Sequence, residues 1–124
     1  MAETDNIVDK CIECGFCEPA CPSRNLTYTP RQRIAMLREI KRLELSDPTS
    51  TLLPQLEKDY FTLGIDSCAA TGMCAERCPV GINTGELIKR QRETLNKKYL
   101  NRAVWAEQHI KGIVNSTRIG LQAT

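Results

Sequence analysis

Seven cysteines dominate the chemistry available to this chain of 124 residues, and all of them fall in two short runs. The first reads CIECGFCEPACP (11–22), a C-x2-C-x2-C-x3-C-P pattern built from Cys11, Cys14, Cys17 and Cys21. The second reads CAATGMCAERCP (68–79) and keeps every spacing and the closing Cys-Pro. It supplies Cys68, Cys74 and Cys78, and it puts Thr71 where a second cysteine would stand. The chain therefore repeats one thiolate-rich motif with one corner altered.

Three thiolates two residues apart can wrap one small inorganic cluster, because successive turns aim their sulfurs at the same volume. In two-cluster ferredoxins the fourth cysteine ligates the other cluster. By that rule Cys11, Cys14, Cys17 and Cys78 hold a first 4Fe–4S cluster. Cys21, Cys68 and Cys74 hold a second, beside Thr71. Three thiolates suit a 3Fe–4S cluster, or a labile 4Fe–4S cluster with an oxygen ligand on its fourth iron. Thr71 is itself a poor iron ligand, since its hydroxyl stays protonated. Gly15 and Gly72, at matching positions, permit close backbone approach to a bulky ion. Zinc is the rival reading, but zinc sites favour paired CxxC units and a closed set of four ligands. Disulfides fit an odd cysteine count poorly, and no βαβ pattern surrounds the CxxC to suggest a thioredoxin-like site.

The elements that must position these loops read as helices. Thr29, Pro30 and Gln32 form a helix start with an N-cap and a proline in the first turn. Ile34, Leu37, Ile40 and Leu43, with Met36 alongside, recur at helical spacing up to Leu45, and Ser46-Asp47-Pro48 breaks the run. A second helix is expected over 52–63, with Leu53, Leu56, Tyr60 and Leu63 on one side, Pro54 in its first turn and a stop at Gly64. Asn83 to Glu86 resembles another N-cap box, leading into Leu87, Ile88, Gln91 and Leu95. From Tyr99 the period continues through Leu100, Val104, Ile110, Ile113 and Val114, with Gly112 a weak point. Trp105 and Tyr99 are expected to be packing residues, and the lone His109 a surface or lightly buried side chain. No stretch alternates at period two. The expected fold is all-α, one domain over 1–124, with residues 1–10 and 115–124 as flexible ends.

Composition removes other classes. No unbroken apolar stretch exceeds four residues, so no membrane-spanning helix is expected. Residues 1–10 are acidic and do not read as a signal peptide. The net charge is only +2, and the basic runs over 31–45 and 89–102 are not accompanied by a set of stacking aromatics (Tyr99 stands alone), so no nucleic acid is expected as a partner. Those runs are expected to be solvated helix faces, with docking to an acidic partner or an anionic membrane surface as the functional alternative. No nucleophile–base set, phosphate loop or carboxylate pair is visible, so no catalytic residue is assigned.

Together, the motif, the helical insert and the second motif resemble the α-helical dicluster ferredoxin domain. That domain recurs in iron–sulfur subunits of succinate dehydrogenase, fumarate reductase, heterodisulfide reductase and glycolate oxidase. The strings CIECGFCEPACPSRNLTYTPRQRI (11–34) and CAATGMCAERCPVGINTGELIKRQR (68–92) look like the iron–sulfur segment of bacterial FAD-linked, cytochrome-type D-lactate dehydrogenases. The resemblance implies a segment of a larger flavoprotein, between an FAD-binding oxidase domain and a cysteine-rich module, with FAD bound elsewhere in the parent. It also implies electron relay from a flavin-dependent 2-hydroxy acid oxidase to a quinone or cytochrome. The expected location is the cytoplasm, or the inner face of the membrane as a peripheral protein. Heterodisulfide-reductase-like and glycolate-oxidase-like subunits stand next in order, and a structural metal-binding docking module comes from a different class.

Overall fold

The computed structural model describes residues 3–110 together with 112, 114, 115, 117 and 118. Residues 1 and 2, Ile113 and most of the expected C-terminal end lie outside the described residues. The chain is all-helical, with no strand among the described residues. It divides into two compact units, Met1–Arg92 and Glu93–Thr124.

In the first unit, helix α1 (Pro30–Ser46) begins as the sequence predicts. The Thr29 hydroxyl accepts from the Gln32 N–H at 3.3 Å, and the Gln32 side chain accepts from the Thr29 N–H at 2.9 Å. This capping box satisfies two of the N–H groups that every helix start leaves open. The α1 stripe of Ile34, Leu37 and Ile40 is buried against Val8, Tyr60, Ile65, Ile82, Leu87 and Ile88. Val8 ties the acidic N-terminal stretch to this core, and it is fully buried.

Helix α2 (Leu53–Asp59) departs from expectation at its far end. Instead of stopping at Gly64, the chain widens into a π-helical segment over Tyr60–Asp66. The sequence pattern marks this glycine as a terminator, but Gly64 serves close packing here. A Cβ on it would lie 2.9 Å from Cδ2 of Tyr60. Carbonyls loosened by the wide turn are taken up by side chains from other helices, described below. Short helix α3 (Met73–Arg77) had no sequence signal, because five residues carry no periodicity. Helix α4 spans Thr84–Gln108, and Asn83 caps it by accepting from the Glu86 N–H at 3.2 Å.

Within the second unit the α4 residues Tyr99 and Trp105 are 51% and 57% exposed. That corrects the expectation that they pack: helical spacing alone does not supply a surface to pack against. Trp105 instead stacks on the exposed His109, ring centroids 4.7 Å apart. No helix among the described residues is long and apolar enough to cross a membrane.

Candidate metal centre

The two cysteine loops adopt one conformation twice. Two residues after the first cysteine of each run, Glu13 (φ 59°) and Ala70 (φ 51°) are left-handed, and two residues further on so are Gly15 (φ 81°) and Gly72 (φ 79°). A left-handed backbone strains side-chain-bearing residues, so its recurrence at Glu13 and Ala70 indicates that the loops are shaped around something. Such alternation turns successive N–H groups inward and makes an anion-binding concavity. The N–H groups of Glu13 and Ala70 already point at sulfur, 3.4 Å from Sγ of Cys11 and of Cys68 respectively.

The loops come together despite the 46 residues between them. Cys11, Cys14 and Cys17 line one cavity with Cys78 from the other run, alongside Arg31, Ile34, Val80 and Ile82. Cys68 and Cys74 line a second with Cys21 from the first run, alongside Thr71, Gly72, Pro30 and Arg33. Thr84, the first residue of α4, forms part of both walls. Gly85 lets the second loop lie on the start of α4, since a Cβ there would stand 3.4 Å from the Gly72 nitrogen.

All seven thiols are free of disulfides, Cys21 and Cys74 buried and Cys14 exposed. Among the described residues, no three His, Cys, Asp or Glu side chains gather closely enough for one metal ion. Four sulfurs at about 2.3 Å from a single zinc would have to crowd together. Here they ring a cavity, an arrangement suited to a cluster rather than to one ion.

Arginines complete the site, and the sequence pattern does not single them out. Arg33, which the sequence places in a solvated basic run, is fully buried. Its guanidinium donates to the Gly64 carbonyl at 2.8 Å and lies 3.4 Å from the Ser67 hydroxyl, 3.5 Å from the Ser23 hydroxyl and 3.8 Å from Cys21 Sγ. A buried cation among neutral groups is costly. An anionic thiolate-bound cluster in the adjacent cavity would offset that cost, so the residues present fit such a group.

Arg38 and Arg92 act on the loops from behind. Arg38 donates to the carbonyls of Val8, Asp9 and Cys11, at 3.3, 3.2 and 3.1 Å. Arg92 donates to the carbonyls of Ile65, Asp66 and Cys68. In each case the acceptors are the first cysteine of the run and the residues two and three before it. Each arginine also stands nine positions after its helix cap, Thr29 or Asn83. The internal repeat thus extends into the helices, and this shared offset was the available sequence signal.

Glu18 joins the first loop to α1. Its carboxylate accepts from the Thr29 hydroxyl at 2.8 Å and from Arg31 at 3.0 Å, and these contacts hold it below the usual carboxylate range. Burial pushes the Cys17 thiol up to about 11, with the neighbouring Cys74 and Cys11 charges adding to the effect. Thr71 is exposed at the rim of the second cavity, and its hydroxyl accepts from the Met73 N–H at 3.4 Å.

A 4Fe–4S dicluster domain model matches residues 7–82. The chain is 32% identical over 102 residues to one subunit of the dihydromethanophenazine:CoB–CoM heterodisulfide reductase of Methanosarcina mazei, covering 73% of this chain and 24% of that protein. It is 28% identical over 100 residues to the glycolate oxidase iron-sulfur subunit of Escherichia coli, covering 77% and 22%. A probable glycolate oxidase iron-sulfur subunit of Bacillus subtilis is 28% identical over 96 residues, covering 72% and 19%. The chain thus spans about a fifth to a quarter of the length of these relatives. No solved structure matches it.

Proposed function

This chain belongs to the 4Fe–4S dicluster domain family, and from that premise we propose that it relays electrons between a flavin-bearing oxidase and a quinone or cytochrome acceptor. The observation that carries the reading is the pair of cavities, each lined by cysteines of both runs, with Arg33 buried against the second. Cys11, Cys14, Cys17 and Cys78 would hold a 4Fe–4S cluster. Cys21, Cys68 and Cys74 would hold a 3Fe–4S or labile 4Fe–4S cluster, because Thr71 offers a protonated hydroxyl in place of the fourth thiolate. When bound, such clusters supply reversible one-electron chemistry. The protein's part is to exclude water with Ile34, Ile82 and Thr84, to turn backbone N–H groups toward the sulfurs, and to fix the loops through Arg38 and Arg92.

The parent substrate is a 2-hydroxy acid of the D-lactate type, oxidised at a flavin carried by a partner domain or subunit. Support comes from the strings over 11–34 and 68–92 and from the glycolate oxidase iron-sulfur subunits among the relatives. A peripheral place at the inner membrane face accords with the basic run over 89–102. Identity to the heterodisulfide reductase protein favours a second reading, in which the parent exchanges electrons with a disulfide.

Anaerobic reconstitution with iron and sulfide tests the relay. A broad visible band bleached by dithionite, with about seven or eight irons per chain, is expected. A colourless protein that takes up only zinc would overturn it. In the full-length parent, bleaching by D-lactate but not by a thiol–disulfide couple separates the two substrate readings.

A further inference from the structure

Two arginines attend each cavity, and their charges are handled differently. At the first cavity both are neutralised. Arg31 in the wall pairs with Glu18 at 3.0 Å, and Arg38 behind the Cys11 carbonyl pairs with Glu13 at 2.9 Å. At the second cavity Arg33 in the wall and Arg92 behind the Cys68 carbonyl form no ion pair among the described residues. Their partners are carbonyls, hydroxyls and the Cys21 sulfur.

The repeat explains the asymmetry residue by residue. Glu13, two positions after Cys11, corresponds to Ala70, two positions after Cys68. Glu18, next after Cys17, corresponds to Ala75, next after Cys74. Both carboxylates that neutralise the first loop are alanines in the second. The charged residues the second loop does carry, Glu76 and Arg77, are exposed and pair with neither Arg33 nor Arg92.

We propose that this uneven charge sets the two centres at different reduction potentials, the second higher, so that an electron delivered to the pair settles in the second cavity. The inference rests on the cluster reading above. Reduction adds negative charge, which nearby uncompensated cations favour and carboxylates oppose. Net charge and hydrogen bonds to sulfur are established levers on cluster potential. Arg33 applies both, and because it is buried its field is poorly screened. Thr71 acts in the same sense, since it removes one thiolate. The step is a one-electron exchange: the first centre loses an electron and the second gains it. Arg33 and Arg92 are positioning and tuning residues here, and Glu13 and Glu18 are their counterweights.

The test is an anaerobic redox titration of the reconstituted full chain, followed by EPR, on the wild type, Glu13→Gln, Ala70→Glu and Ala70→Gln. Ala70 shares Glu13's left-handed backbone, so a glutamate there is placed to reach Arg92 as Glu13 reaches Arg38. Two separate transitions are expected in the wild type. Glu13→Gln should raise the lower one alone, Ala70→Glu should lower the upper one alone, and Ala70→Gln, equal in size but uncharged, should move neither. Coincident wild-type transitions, a shift of the upper transition in Glu13→Gln, or an unmoved upper transition in Ala70→Glu with full iron content would each overturn the proposal. Failure of the wild type to take up iron and sulfide would instead defeat the cluster reading on which it stands.

Discussion

At the scale of single residues, the thiols and their surroundings decide reactivity. In the metal-free protein, Cys14 is exposed while Cys17 is half-buried with its thiol held near 11 by burial. The thiolate is the nucleophile, so a raised value slows alkylation until the pH approaches that range. Timed alkylation with mass spectrometry at neutral pH should label Cys14 well before Cys17, and raising the pH toward about 11 should close the gap; equal rates at neutral pH would contradict the assignment. Thr71→Cys completes the second C-x2-C-x2-C-x3-C run. It should raise the iron content of the reconstituted protein by about one per chain and remove any 3Fe–4S EPR signal. If Thr71 merely holds the Met73 N–H, iron content stays constant. The cysteines were legible because cluster ligation fixes their spacing. Arg33 was not, because an arginine beside Ile34 in an amphipathic helix looks like a surface residue until its buried acceptors, contributed by residues from Cys21 to Ser67, are in place.

Helices and turns show how the motif is enforced. Each of Arg38 and Arg92 directs its Nη2 nitrogen at three carbonyls of the turn entering its loop, and the fork of the guanidinium leaves Nη1 of Arg38 free to reach Glu13 at 2.9 Å. Arg38→Gln or Arg92→Gln should cost about 1–3 kcal/mol, since partly buried carbonyls lose their donors. Urea titration of the metal-free protein measures that loss. After reconstitution, each variant should lose iron preferentially from its own cavity, separated by EPR; equal loss from both cavities would show that the arginines support the core generally. Gly64→Ala drives a methyl into the Tyr60 ring and should destabilise by about 1–3 kcal/mol, seen as a lower melting temperature. The start of α1 was legible in full because a capping box is a local signal. The end of α2 was not. Gly64 reads as a stop, and only Tyr60 above it and Arg33 on its carbonyl convert that stop into a wide turn.

For the whole molecule, the first unit has an apolar core of its own around α1, so its stability should not rest on metal alone. Chelation should remove part of the helical circular dichroism signal, with α1 surviving through its capping box and buried stripe. Collapse to a coil spectrum would place all the folding energy in the metal. The crossing of cysteines between cavities could be anticipated from the motif, whereas the division into two units at Arg92 had no local mark, because α4 runs through it without a break in pattern. Thr84 carries a last consequence. It belongs to the walls of both cavities, so this one side chain forms part of the partition between them. On the proposed relay, an electron passing between the two centres would cross that shared wall inside the protein, so its exchange should be insensitive to salt and to partner concentration, while exchange with a donor or an acceptor should depend on both.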